Sequence, residues 1–245
     1  SKKNQESLKN SYARGEDGLY SVLDTAYSQS YKNDFINQRA SLSFKAQRAK
    51  YNYTIGLNVD PSYTKSINFV GDITLSELKR SVVNVSPMAQ FNYIFNKQTN
   101  LRINYSGRTN QPSMTQLQPV ADVSDPLNTV IGNPDLNPRY TNNLFLRFQK
   151  FTPEKQSAFM VMANGSYVIN DIVSYATYQE NSGKKITTYR NVNGNYDGNV
   201  RAMLNTPLKN KKFSVNSMTM LSYSNNKGFI NADENTSKSF TAMER

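Results

Sequence analysis

Residues 101–151 read LRINYSGRTNQPSMTQLQPVADVSDPLNTVIGNPDLNPRYTNNLFLRFQKF, and this stretch decides the fold. Its opening residues alternate apolar and polar side chains, the period of a β-strand with two different faces. A polar loop (109–138) follows and ends in the turn-forming run GNPDLNP. A second alternating segment begins at Asn143. Two amphipathic strands around one long loop predict a hairpin of the kind that builds transmembrane β-barrels.

The same period of two recurs along the chain. It is cleanest in residues 51–59, where Tyr51, Tyr53, Ile55, Leu57 and Val59 alternate with polar residues or glycine. We therefore predict a helix-poor, all-β, antiparallel up-and-down sheet of about nine or ten strands. These strands are expected to begin near Leu19, Ile36, Tyr51, Val83, Leu101, Asn143, Ser157, Ile186 and Lys212.

The composition supports a thin wall rather than a thick core. Apolar residues make up 37% of the 245 residues, and the mean hydropathy is −0.67. Such a polar chain suits a sheet with one face in lipid and the other in water. No apolar stretch reaches the roughly eighteen residues of a membrane helix, but barrel strands are shorter and alternate.

The residue types argue against catalysis. Cysteine and histidine are both absent, which excludes disulfides, thiolate chemistry and histidine general bases. We find no phosphate loop, zinc spacing or nucleophile elbow, so we predict neither an enzyme nor a cofactor. The net charge of +11 is scattered rather than clustered, which favours solvated turns over a nucleic-acid surface.

Connection lengths predict which end of each strand faces outward. We expect short turns near residues 49, 97, 154 and 208, and long connections near 70, 125 and 232. Barrels of this kind have short periplasmic turns and long extracellular loops, so loop 109–138 should lie outside the cell. We also expect a turn at 32–34, an irregular excursion over 60–80 and a polar loop over 224–240.

The alternation assigns each side chain to a face. Tyr53, Ile55, Leu57, Leu101, Ile103 and Tyr105 should face lipid, with Asn52, Thr54, Arg102 and Asn104 on the opposite face. An arginine in the middle of the lipid face costs roughly 2–4 kcal/mol, so Arg102 and Arg147 should point into the lumen. Together with Asn104, these two arginines are candidate ligand contacts on the inner face.

The long loop supplies the other candidate site residues. Its prolines restrict the backbone and lower the entropy cost of ordering, so we expect an ordered loop folded over or into the barrel mouth. Residues available there for polar ligand contacts are Gln116, Gln118, Asp122 and Asn128. Residues expected to shape the corner into the next strand are Gly132, Asn133, Pro134, Leu136 and Pro138.

These residues also carry a family resemblance. The segment resembles the barrel of TonB-dependent outer-membrane receptors, particularly the outer-membrane β-barrel family common in Bacteroidetes. The matching residues are Arg102, Asn104, Tyr105, Thr109, Pro112, Ser113, Gln116 to Val120, Asp125 to Asn128, Gly132 to Leu136, Pro138 and Asn143. Arg139 departs from the pattern, because these receptors usually carry an acidic residue there. A looser similarity extends from about Gln38 to Leu221.

The resemblance implies a location, partners and an activity. The chain would form part of a larger, 22-stranded barrel in the outer membrane of a Gram-negative bacterium, and would take up a scarce nutrient. Implied partners are outer-membrane lipid and lipopolysaccharide, an extracellular nutrient ligand, and a plug domain and TonB acting through regions outside this chain. No nucleic-acid partner is implied.

The chain is expected to divide into a polar lead-in (1–18) and a barrel fragment (19–245). Because it has no signal peptide and no terminal aromatic strand, we interpret it as part of a longer receptor. The alternative is an outer-membrane barrel or β-sandwich adhesin that binds a surface ligand and transports nothing.

Overall fold

The computed structural model describes residues 2–9, 12–23, 29–70, 73–119, 125, 127–179, 183–208, 212–231 and 233–245. Helix is confined there to α1 (Met114–Leu117) and a 3-10 turn (Pro153–Lys155). Neither of these described helices is long or apolar enough to cross a bilayer. The strands are β1 Lys2–Lys9, β2 Tyr12–Arg14, β3 Tyr20–Leu23, β4 Gln29–Asn37, β5 Ala40–Gln47, β6 Tyr51–Val70, β7 Ile73–Asn96, β8 Thr99–Asn110, β9 Asn128–Val130, β10 Arg139–Thr152, β11 Ser157–Ile169, β12 Asp171–Tyr178, β13 Lys185–Val192, β14 Asn195–Pro207, β15 Ser214–Ile230 and β16 Asp233–Glu244.

Eleven strands form one antiparallel up-and-down sheet, which confirms the predicted fold class. The order is β1-β4-β6-β7-β8-β10-β11-β14-β15-β16, and β5 also pairs with β6. Because β4 and β5 cover successive parts of β6, they act as one strand interrupted at Gln38 and Arg39. Within the described residues the sheet stays open between β1 and β16, as in part of a larger barrel.

The cross-strand register confirms the predicted faces. Tyr53 lies opposite Phe91, and Phe91 lies opposite Ile103, so all three side chains share the outer face. Arg102 lies opposite Asn92, which lies opposite Asn52, on the inner face. A slip of one residue would have exchanged these faces throughout.

Aromatic side chains form two belts on the outer face. One belt runs near the short turns, with successive ring contacts from Tyr51 through Phe91, Tyr93, Phe95 and Phe148 to Phe159. Tyr196 and Tyr223 stack in the other belt, with ring centroids 5.9 Å apart, and Tyr167 lies opposite Tyr196. Eight residues, about 26 Å of strand, separate Phe159 from Tyr167 in β11. That length suits the apolar band of about 25 Å in such barrels.

The two ends of the sheet differ as the connection lengths predict. The connections near 49, 97, 154 and 208 are short, whereas long structures project from the opposite end. The projections are the β6–β7 hairpin, the loop carrying α1 and β9, and the β12–β13 extension. That this end faces the cell exterior stays a prediction, made because extracellular segments are the longer ones in such barrels.

Several turns and loops that the sequence predicts are not found in the structure, so these predictions are wrong. Residues 32–34, for which the sequence predicts a turn, lie inside β4, and the strand is interrupted at 38–39 instead. The described parts of 60–80 and 224–240 continue as paired strands rather than loops. Residues 2–9 form β1, which pairs with β4. Above the membrane neither face of a hairpin meets lipid, so its strands need no alternation of apolar and polar residues.

Candidate functional site

The inner face carries a hydrogen-bonded polar row across the sheet. Asn92 donates from Nδ2 to Oδ1 of Asn52 at 2.7 Å, and Arg102 donates from Nε to Oδ1 of Asn92 at 2.8 Å. These residues sit directly opposite one another on three adjacent strands. The alternation that placed them inward therefore also builds a connected polar surface.

Two arginines meet at the end of this row. Arg147 in β10 lies directly opposite Arg102 in β8. Arg147 is half-buried, and its Nε has no hydrogen-bond partner among the described residues. Like charges directly opposite each other in a sheet are destabilising, and an unpaired buried donor adds a further cost. An anionic group placed between the two guanidinium groups would relieve both effects.

A polar cavity of about 1080 Å³ lies further toward the exterior on the inner face. Arg39 and Asp60 form a two-point ion pair on its wall, with Nε–Oδ1 at 2.7 Å and Nη2–Oδ2 at 3.0 Å. Exposed Arg108 also lines the cavity. It lies an even number of residues from Arg102 and Asn104 along β8, so the three side chains share the inner face. Other lining residues include Asn58, Asn84, Ser86, Ser106 and Asn143.

The described part of the long loop folds onto the inner side of the sheet. Gln118 donates from Nε2 to the hydroxyl of Ser66, an inner-face residue of β6, at 3.1 Å. Arg80 of β7 donates to the carbonyl of Leu136 at 2.9 Å. Leu117 and Leu136 are buried beneath the loop, with 3% and 2% of their surfaces exposed. The loop therefore contributes much of the small apolar core of the described residues.

A parallel strand pair fixes the far side of the loop. β9 pairs with β13, and Asn133 donates from Nδ2 to the carbonyl of Tyr189 at 2.9 Å. Asn191 and the backbone of Asn137 exchange two hydrogen bonds, at 2.8 and 3.1 Å. The loop is thus bound both to the β6–β7 hairpin and to the β12–β13 extension.

The predicted corner residues lie between the loop and β10. A side chain at Gly132 would come within 2.3 Å of the carbonyl oxygen of Gln118, so only glycine fits. The side chain of Asn133 accepts a hydrogen bond from the backbone of Asp135 at 3.0 Å. Pro134 lies in the turn, and Pro138 immediately precedes β10.

The predicted loop contacts are mostly engaged within the protein. Gln116 forms a capping box with Ser113 at the start of α1. Asn128 donates from Nδ2 to Asp125 at 2.7 Å, and this bond is the main reason why the pKa of Asp125 is lowered. Asp122 lies outside the described residues. The structure brings Arg102, Asn104 and Arg147 together on one face, with Gln118 at the mouth above them.

Other polar residues of this region were not identified from the sequence. They include Arg39, Asp60 and Arg108 in the cavity, and Arg201, which continues the inner row beyond Met162. Extending the period-two parity along β8 and β14 would have found Arg108 and Arg201. Nothing in the sequence pairs Arg39 with Asp60. Arg139, the departure from the family pattern, forms an ion pair with Asp171 at 3.1 Å.

Comparison with known families identifies the class of protein. The sequence profile described as the Outer membrane protein beta-barrel family matches residues 3–243. This chain belongs to that family, and its location is the outer membrane of a Gram-negative bacterium. The resemblance seen in residues 101–151 is confirmed. A search of curated proteins gives no match.

Solved receptor structures are similar at low identity. The siderophore receptor PirA from Pseudomonas aeruginosa aligns with a TM-score of 0.44 and 11% identity, over 99% of this chain and 56% of that one. PirA from Acinetobacter baumannii gives 0.45 and 12%, over 91% and 40%. The outer membrane transporter YddB from Escherichia coli gives 0.41 and 10%, over 81% and 34%. The chain spans about half or less of the length of these structures.

Proposed function

We propose that this chain is part of the barrel of a TonB-dependent receptor that takes up a nutrient through the outer membrane. The observation that carries the proposal is the polar inner face, with its 1080 Å³ cavity and with the long loop bound to β6 on the same face. A purely structural wall has no need of a polar inner face with several arginines. No step in such uptake requires covalent chemistry on these strands, so the proposed protein is a transporter and not an enzyme.

The proposed ligand carries anionic groups. Arg102 and Arg147 lie opposite each other in one inner row, Arg201 follows in the same row beyond Met162, and Arg108 lies above them in the cavity. Planar guanidinium groups bind carboxylates and similar oxyanions through paired hydrogen bonds. Iron chelates, cobalamin, glycans and peptides are the nutrient classes that the family resemblance offers, and the arginine row favours the acidic members.

The proposed partner for the periplasmic half of the lumen is a plug domain. Six methionines share the inner face of β11, β14, β15 and β16: Met160, Met162, Met203, Met218, Met220 and Met243. Arg201 donates to the sulfur of Met220 at 3.5 Å. Methionine surfaces adapt to irregular partners, which suits a separately folded domain seated inside the barrel. TonB would act through regions outside this chain.

Uptake assays separate transport from adhesion. Cells carrying or lacking the full receptor would be supplied with labelled iron chelate, cobalamin, an acidic oligosaccharide and an acidic peptide. We expect accumulation of one probe to require both the receptor and TonB. Surface binding that survives loss of TonB, with no accumulation of any probe, would favour the adhesin and contradict the proposal.

A further inference from the structure

Two glycines face each other on the lipid side of the sheet without a backbone reason. Gly165 of β11 and Gly198 of β14 are cross-strand partners on the outer face. Neither has a positive φ, and added Cβ atoms would approach nothing closer than 4.0 Å and 3.4 Å. Glycine inside a strand weakens it and often marks close approach by another group. We therefore expect another group to fill the space above this pair.

Large side chains turn this space into a trough. One row across the sheet reads Tyr105, Leu144, Gly165, Gly198, Tyr223 and Phe240, so two bare positions lie between bulky walls. The resulting groove has a volume of about 540 Å³ and an almost wholly apolar surface. Leu144 and Phe240 remain 52% and 67% exposed, so the protein itself does not cover the walls.

The position of the trough identifies what covers it. It faces outward from a barrel that resides in the outer membrane, where the outer face is bounded by lipid chains. It lies beside Tyr196 and Tyr223 of the belt nearer the exterior, so an occupant with a polar head would place that head at the interface. We propose that the Gly165–Gly198 trough is a binding site for one acyl chain of an outer-leaflet lipid.

Filling the trough tests this site. In the intact receptor, the double substitution Gly165→Val and Gly198→Val would occupy the space that the acyl chain needs. We expect native mass spectrometry to show about tenfold less retained lipid, the loss expected when roughly two methylene groups lose apolar cover. Ala163→Val is the matched control, because Ala163 shares the outer face of β11 outside the trough. Unchanged lipid retention in the double variant would overturn the proposal.

A second measurement uses the unmodified protein and identifies the lipid. The receptor is reconstituted with lipid A or with phosphatidylethanolamine, each carrying a photoreactive group in an acyl chain. Crosslinks are expected at Leu144 or Val200 with lipid A, the outer-leaflet lipid, and a preference for phosphatidylethanolamine would contradict that source. Crosslinks spread evenly over the outer face, or joining Phe240 to a second receptor copy, would contradict a lipid site. The result does not depend on transport.

Discussion

At the scale of single residues, the inner and outer faces impose different constraints. Outer positions tolerate exchange among apolar side chains, because their neighbours are fluid lipid. Inner and loop positions are held by specific atoms, as the carbonyl of Gln118 lies directly against Gly132. A substitution that adds a single carbon should therefore have little effect at an outer position and a large effect at an inner or loop position.

Replacing Gly132 by alanine should open the loop without unfolding the barrel. The new Cβ would lie 2.3 Å from the oxygen and 2.7 Å from the nitrogen of Gln118, and backbone atoms cannot turn aside as a side chain does. We expect a loss of roughly 1–3 kcal/mol in local stability, typical of overpacking. Faster proteolysis or hydrogen exchange within 112–138 would report it. Gly165→Ala is the control, and equal protection in both variants would refute the prediction.

Replacing Arg147 by methionine should stabilise the ligand-free barrel and weaken ligand binding. The substitution removes a positive charge that directly faces Arg102, so we expect a gain of roughly 0.2–1 kcal/mol in unfolding experiments. Uptake of the anionic probe identified above should fall. Arg108→Met provides the comparison, because Arg108 faces Thr141 rather than another arginine. A loss of stability at Arg147 would show that its charge is satisfied in the barrel.

At the scale of elements, the strands that cross the membrane were predictable and their extensions were not. The register from Tyr53 to Ile103 followed from alternation, because lipid and lumen demand opposite side chains. In β6 beyond Asp60 neither face meets lipid, so turn-forming residues sit in a strand without breaking it. The contact between Gln118 and Ser66 joins residues 52 positions apart, and no local pattern encodes such a contact.

The tip of the β6–β7 hairpin should loosen in acid. Glu77 contacts Lys65 and Lys79, both at 3.1 Å, and these bonds lower the pKa of Glu77 below its ordinary 4.5. A carboxylate with a lowered pKa adds stability above its ordinary pKa, and that stability is lost as the pH falls through the lowered value. The same contact with Glu77 raises the pKa of Lys65 above its ordinary 10.5. The ion pair therefore contributes fully between these two ordinary values.

Hydrogen exchange of residues 62–82 against pH measures this effect. Protection of the described strand residues should decrease below about pH 4.5 in the wild type, after correction for intrinsic exchange. Glu77→Gln should give a profile without that step. An acid step that persists in the variant would assign it to another group.

Replacing residues 114–130 with a short Gly-Ser linker should abolish ligand binding in the intact receptor. The replacement removes Gln118, which binds Ser66 of β6, and β9, which pairs with β13. The main sheet does not pair with either element, so heat-modifiable migration of the barrel should persist. Gln118→Ala, which removes only the bond to Ser66, should weaken binding less. Unchanged binding after the replacement would reduce the loop to a structural role.

At the scale of the whole molecule, the sheet has two unpaired edges. β16 pairs with one neighbour among the described residues, and so does β5, which borders the lipid-facing part of β6, whereas β1 pairs with β4 above that level. Open edges are not stable in hydrocarbon, because lipid offers their N–H and C=O groups no partner. In the larger barrel that we propose, further strands would pair with both edges in the membrane.

Residues 1–245 expressed alone should not behave as the intact receptor does. We expect oligomers or aggregates in detergent, since the exposed edges pair with other copies, rather than a heat-modifiable monomer. Size-exclusion chromatography with light scattering, compared with the full receptor, makes the measurement. A stable monomer that changes migration on heating would show that the edges close on each other.

The pairing of β9 with β13 also has a consequence for the order of assembly. The long hairpins join neighbours in the chain, whereas Asn137 and Asn191, beside that pairing, lie 54 positions apart. Contacts between distant positions form late, because the entropy of closing the intervening chain must be overcome first. The long loop over the inner face would therefore reach its final position only after β10, β11 and β14 have paired. During biogenesis the mouth would remain open for an interval before it is sealed.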